Sequence, residues 1–342
     1  KTQILLDLEK IEEAYKEVDE IIGAARDIKD EKARNSLLAE RKKMLAKINF
    51  YMNELSKAEA DLWDAEKLYS KVKDFKGLAA IYNNLGVLLM SRAEWKDAEK
   101  MYLKSLKHEQ ERYSLNGISV CYNNLGGLMS DMGDHERSLH YLEKALEIQS
   151  LVNDRYKITF IYNNIGVTCM ENAMFKKAEE SFNKALEISL TFNLFRNIVY
   201  SYYNLGALYF KTGKWAKAIE FYERSIEKSK ENNFLEGLCK AYNNLGELYE
   251  KRGEYNLAYD LYFKGLEILP DVNDKFLKAE LYGNLGSVLT RLHKYGEAYP
   301  YLVESYDYFK SLDAKNKIIE ANQKYAYYFL QTRNKESASY YI

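Results

Sequence analysis

Proline is almost missing: the chain has two in 342 residues, Pro270 and Pro300. That excludes proline-rich linkers and leaves long helices uninterrupted. Glycine is scarce as well, at 17, which excludes collagen-like and glycine-rich flexible chains. The three cysteines, Cys121, Cys169 and Cys239, have no pairing pattern and lie in helical segments, so buried thiols in a reducing, cytoplasmic compartment are expected rather than a disulfide framework. Charge of one sign is missing too: 50 Lys and Arg stand against 51 Asp and Glu. No footprint for nucleic acid or an anionic membrane follows from such a balance. No apolar run is long enough to span a bilayer, and no signal peptide is visible. What remains, 47% hydrophobic and 30% charged residues, is the composition of a soluble helical protein. The start at Lys1 and the stop inside "SASYYI" read as cuts in a longer protein.

One phrase recurs: "AIYNNLGVLLM" at 80–90, "VCYNNLGGLMS" at 120–130, "FIYNNIGVTCM" at 160–170. Its glycine falls at Gly86, Gly126, Gly166, Gly206, Gly246 and Gly286, a step of 40 with no insertion or deletion. Twelve residues later comes a small residue (Ala98, Ser138, Ala178, Ala218, Ala258, Ala298), and four after that a large one (Tyr102, Leu142, Phe182, Tyr222, Tyr262, Leu302). Internal periods of this size are the signature of stacked repeat units. The frame gives units near 38–77, 78–117, 118–157, 158–197, 198–237, 238–277 and 278–317, with 318–342 truncated, so the array is expected to run over 36–342.

Each unit reads as a helical hairpin. Tyr242, Leu245, Gly246 and Tyr249 share one helix face, "KRGEY" at 251–255 turns the chain, and a second helix follows from about Tyr255 to Leu269. Small residues such as Gly246 and Ala258 let the two backbones approach. Residues 1–35 lie outside the frame, and Ile4, Leu8, Ile11, Tyr15, Val18, Ile22 and Ala25 make an apolar stripe. The helix carrying it is expected to cap the first unit or to form a coiled-coil linker. Trp63, Trp95 and Trp215 read as packing residues.

Tyr242, Leu245, Gly246, Tyr249, Ala258, Tyr262 and Pro270 together resemble the tetratricopeptide repeat. The resemblance covers roughly 38–342 and departs in length, since the family's basic unit has about 34 residues. The longer form is similar to the repeats of kinesin light chain, of spindle-orientation adaptors, and of bacterial signalling regulators and peptide-pheromone receptors. It implies an all-α fold: a right-handed superhelix, or α-solenoid, of about eight hairpins.

The asparagines are not explained by packing. With Gly86 at 0°, Asn84 lies at about 160° and Asn83 at about 60°, whereas Tyr82, Leu85 and Leu89 cluster between about −100° and −40°. Asn84, Asn124, Asn164, Asn204, Asn244 and Asn284 should therefore form a ladder on the inner wall, with Asn83, Asn123, Asn163 and Asn243 flanking it. A side-chain amide offers both donor and acceptor, the complement of a peptide unit. The resemblance implies contact between such asparagines and a bound peptide; the alternative is that they join neighbouring helices. Further groove positions are apolar in the first half, including Val87, Met90, Phe160, Met170, Tyr200, Tyr203 and Phe210, and charged in the second, including Lys240, Glu250 and Arg291. Apolar residues on an inner wall mark a partner site, unless tight curvature buries them against one another.

Nothing points to catalysis, a metal or a cofactor. "KTGKW" at 211–215 lacks the rest of a phosphate-binding loop, and His135 and His140 are about 140° apart on a helix, the wrong spacing for a metal pair. The expected function is a scaffold that holds a protein segment or peptide in its groove, as the sensor or interaction part of a larger signalling protein. A peptide-pheromone receptor lacking its effector domain is one alternative. A structural spacer or self-association domain, with a homodimer among its forms, is another.

Overall fold

The computed structural model describes residues 11–52, 54–272, 274–312 and 314–341. All regular elements among them are helical, and none of the helices is long and apolar enough to cross a membrane. Helix α1 (Ile11–Arg26) precedes eight hairpins: α2 (Glu31–Tyr51) with α3 (Leu55–Val72), α4 (Phe75–Ser91) with α5 (Trp95–Glu111), α6 (Leu115–Asp131) with α7 (His135–Val152), α8 (Arg155–Glu171) with α9 (Phe175–Thr191), α10 (Phe195–Lys211) with α11 (Trp215–Glu231), α12 (Leu235–Arg252) with α13 (Tyr255–Ile268), α14 (Lys275–Arg291) with α15 (Tyr295–Ser311), and α16 (Lys315–Gln331) with α17 (Lys335–Tyr341). Most of these helices have 17 residues and most turns have three, and that alternation makes the period of 40.

The turns stop the helices by one device. A residue with positive φ recurs at the same place in the frame: Ala93, Gly133, Ala173, Gly213, Gly253, His293 and Arg333 within hairpins, and Lys73, Tyr113, Asn153, Asn193 and Asn233 between them. A left-handed residue there lets the next amides fold back on the last carbonyls, as Ala93 N–H does on Met90 and Glu94 N–H on Leu89. Asp74, Ser114, Asp154 and Asp274 then cap the following helix by accepting from a backbone N–H three residues on.

Inside a hairpin the frame glycine is covered by a large side chain. A Cβ on Gly166 would sit 2.3 Å from the Phe182 ring, one on Gly206 2.7 Å from Tyr222, and one on Gly246 2.6 Å from Tyr262. Ala178 is fully buried. Yet the ring four residues further on, rather than the expected small residue, is what excludes a side chain at Gly166. The three cysteines are buried. Trp63 and Trp95 pack against the core, whereas Trp215, at the start of α11, is 40% exposed and fills no core position.

The chain divides into two compact units, with the boundary after Asn153. In the first, α1 lies on α2 through Ala14, Val18 and Ile48, and the Tyr15 hydroxyl donates to Asn49 Oδ1 at 2.8 Å. Ile4 and Leu8 of the apolar stripe lie outside the described residues. In the second unit the first helices of successive hairpins (α8, α10, α12, α14, α16) touch one another, while among the described residues successive second helices share no comparable contact. The first helices therefore form the closer-packed, inner wall.

Candidate functional site

The repeated asparagines meet across successive first helices. Asn124 Nδ2 donates to Asn83 Oδ1 at 2.7 Å in the first unit. In the second, Asn204 donates to Asn163 at 3.2 Å and Asn284 to Asn243 at 2.9 Å. Tyr203 takes the acceptor's place in the rung between them, its hydroxyl receiving Asn244 Nδ2 at 2.9 Å. Each rung thus ties one hairpin to the one before it, joining residues 41 apart. Asn123 and Asn164 are also partly buried and engaged, and Asn84 is partly exposed.

Projection on an isolated helix puts Asn163 and Asn243 at the edge of the groove face. The structure instead buries both, to 5% exposure. For Asn163 the following first helix closes over that position: Asn163 receives Asn204 Nδ2 and also exchanges hydrogen bonds with Ser201 at 3.2 and 3.3 Å. The outer rung residues Asn124, Asn204, Asn244 and Asn284 stay partly exposed. An amide carries two N–H donors and a carbonyl oxygen. Asn204 spends one N–H on the rung and has no further hydrogen-bond partner among the described residues.

The apolar positions are partly open. Val87 is 41% and Phe160 44% exposed, while Met90, Met170, Tyr200, Tyr203 and Phe210 are half-buried. Met90 Sδ receives the buried Tyr102 hydroxyl at 3.0 Å. Burial pushes the Tyr203 phenol up to about 12, so it remains a neutral donor and acceptor on this wall. Tyr200 donates to Glu236 Oε1 at 3.3 Å, and Lys240 lies 2.6 Å from the same oxygen. Burial alone would lower the Lys240 pKa, but Glu236 outweighs it and holds the ammonium charged. Lys251 sits over the Phe210 ring, 4.9 Å from its centroid.

Further along, Arg291 Nε is 3.3 Å from Glu250 Oε1, and its guanidinium stacks over Tyr327 at 4.6 Å and Tyr255 at 5.5 Å. Glu250 also accepts from Ser287 at 2.7 Å and from Tyr262 at 3.1 Å. Glu236, Ser201, Ser287 and Tyr327 orient these side chains and were not singled out by sequence. Glu236 carries a readable signal, four residues before Lys240 on one helix. The others come from neighbouring hairpins and carry none.

The tetratricopeptide repeat family model matches residues 77–150, 118–191, 157–231 and 197–271. No curated protein matches the chain. Among solved structures, a Rap protein complexed with Competence and Sporulation Factor is 16% identical, with 99% of this chain and 93% of that one covered at a TM-score of 0.67. The apo quorum sensor NprR from B. thuringiensis is 19% identical, covering 98% and 92% at a TM-score of 0.61. BtubC (BKLC) from P. vanneervenii is 24% identical, covering 66% and 92% at a TM-score of 0.55. At these identities the likeness is one of fold: hairpins stacked into an α-solenoid. The repeat matches run without a gap from residue 77 to 271, more than half the sequence, and the chain belongs to the tetratricopeptide repeat family.

Proposed function

We propose that the chain is a peptide- or protein-binding scaffold that holds an extended segment along the wall of first helices, as the sensor or interaction part of a larger signalling protein. The observation that carries this reading is the row of half-buried amides. Each rung consumes one N–H, and in the second unit the wall of first helices that carries Asn204, Asn244 and Asn284 also offers the partly open Phe160 and Phe210. Such a row reads a backbone, and the apolar positions read side chains. The Rap protein with its bound factor and the Rap regulator of plasmid pLS20 in complex with the Phr* peptide support a peptide as the partner class.

The test is a display screen of random-sequence octapeptides on the whole chain, followed by titration of the retained peptides. Replacing Asn204, Asn244 and Asn284 together by Ala should weaken binding at least about tenfold, because each lost bond costs about 0.5–1.5 kcal/mol. Phe160→Ser or Phe210→Ser should weaken it with no change in melting temperature. A wild-type protein that retains no peptide, or a triple variant that binds as wild type does, would overturn the reading.

A further inference from the structure

The second helices change character at α13. Two places on each of them, those of Glu99 and Leu103 in α5, lie beside the gap to the next second helix. In each of α3, α5, α7, α9 and α11 one of the two holds a glutamate: Glu59, Glu99, Glu143, Glu179 and Glu223. Glu59, Glu99 and Glu179 reach the next hairpin there, accepting from Arg92, Arg137 and Tyr209. In α13 both places hold rings, Tyr259 and Phe263, stacked at 6.0 Å with 22° between their planes. Phe263 is 43% exposed. Across the gap α15 presents Tyr301, which meets Tyr282 of α14 at 5.1 Å. Burial raises the Tyr301 pKa, and Tyr282, Tyr259, Glu297 and Glu304 add to it. Groups from α13, α14 and α15 thus gather at one ring. Because α13 and α15 pack on α14 rather than on each other, Tyr259, Phe263 and Tyr301 line an open apolar groove over α14.

The rim of this groove is acidic. Asp260 and Glu267 on α13 and Glu297 and Glu304 on α15 are exposed. Glu304 lies 3.9 Å from Lys278, and the other three form no ion pair among the described residues. Two of the four stand where earlier hairpins carry cations: the place of Glu297 holds Arg137, Lys177 and Lys217 in α7, α9 and α11, and that of Glu304 holds Lys184, Arg224 and Lys264 in α9, α11 and α13. The rings already draw cations from within the chain, with Lys294 5.3 Å from the Tyr259 centroid and Lys278 4.9 Å from that of Tyr282. A second copy seated on the same face would set carboxylate against carboxylate. A segment that pairs apolar with cationic side chains meets both the rings and the rim.

We propose that the groove between α13 and α15 docks a partner protein through an amphipathic helix whose polar edges carry arginine or lysine. The surface lies on the second helices, away from the amide rungs, and does not depend on the peptide-binding reading above.

The probe is a fluorescent helical peptide as long as α13, 14 residues, with leucine on one face and arginine on the other, titrated against the whole chain. The same pattern written with leucine and glutamate is the control. Wild type should bind the arginine peptide and not the control. Phe263→Glu installs the residue type that Glu223 places at the same point of the frame, and Asp260→Lys with Glu297→Lys installs those of Lys100 and Lys217. Each variant should weaken the arginine peptide at least about tenfold with no change in melting temperature, and where Phe263→Glu melts lower the charge variant alone decides. Replacing Asn204, Asn244 and Asn284 together by Ala should leave this binding as in wild type. A wild type that does not bind, equal binding of the control, or binding indifferent to the groove variants overturns the proposal. So does a wild-type dimer in sedimentation that Phe263→Glu dissociates, since it gives the groove to a second copy.

Discussion

Ala93 and Ala173 sit at φ 58° and 55°, in the turn position that Gly133, Gly213 and Gly253 occupy in sister hairpins. An L-residue in the left-handed region is strained by about 1–2 kcal/mol, while glycine gives back about 0.4–1 kcal/mol through its freer unfolded chain. Ala173→Gly should therefore raise stability by up to about 1 kcal/mol, and Gly213→Ala should lower it by a similar amount, both read from denaturant midpoints at unchanged slope. A destabilised Ala173→Gly would mean that the turn is held by something other than its backbone. The glycine turns are readable, as "KRGEY" is. Lys73, Tyr113 and Arg333 are not, because nothing in those side chains favours a positive φ. Only the 40-residue frame marks them, since it aligns them with glycine and asparagine.

Between elements, the asparagine rungs are joints as well as candidate binding groups. The Asn163–Asn204 pair crosses from α8 to α10 at 3.2 Å, with Asn163 buried. A double-mutant cycle of Asn163→Ala and Asn204→Ala should give a coupling energy of about 0.5–1.5 kcal/mol from thermal or denaturant unfolding. Asn163→Ala alone should be the costlier single change, because it also strands Ser201. Purely additive losses would deny the rung any part in stacking. Helical projection finds the packed face correctly: Leu85 is fully buried and Tyr82 8% exposed. It fails for Asn163 and Asn243 because it treats a helix as if alone, and their burial is made by the next hairpin. The bond pattern itself is implicit in two adjacent amides at one period, yet which of them donates depends on the offset between hairpins, a tertiary quantity.

At the scale of the molecule, stability in a stacked array is a sum of unit and nearest-neighbour terms. Gly166→Leu forces a branched side chain into the Phe182 ring, and overpacking of this kind costs about 1–3 kcal/mol or more. The loss of hydrogen-exchange protection should be greatest in α8 and α9, smaller in α10 and α11, and least in α14 and α15. A uniform loss along the chain would replace the additive description by one cooperative block. The division after Asn153 is the large-scale feature that sequence does not carry. "VND" at 152–154 and "VND" at 272–274 are the same turn text, and the chain divides only at the first. Packing between hairpins is set along whole helices, and turn residues do not record it.

The alternation of 17-residue helices and three-residue turns has an editorial consequence. Residue 277 and residue 317 occupy the same place in the frame, so excising 278–317 would join two ends that already share a backbone geometry, with no splice to design. The shortened chain would set Lys324 directly opposite Asn243, whose carbonyl oxygen accepts from Asn284 in the intact protein. Whole periods are thus the natural currency of change in this chain: it can be lengthened or shortened by 40 residues at a time, whereas loss of a single residue within a hairpin would rotate everything after it off the wall.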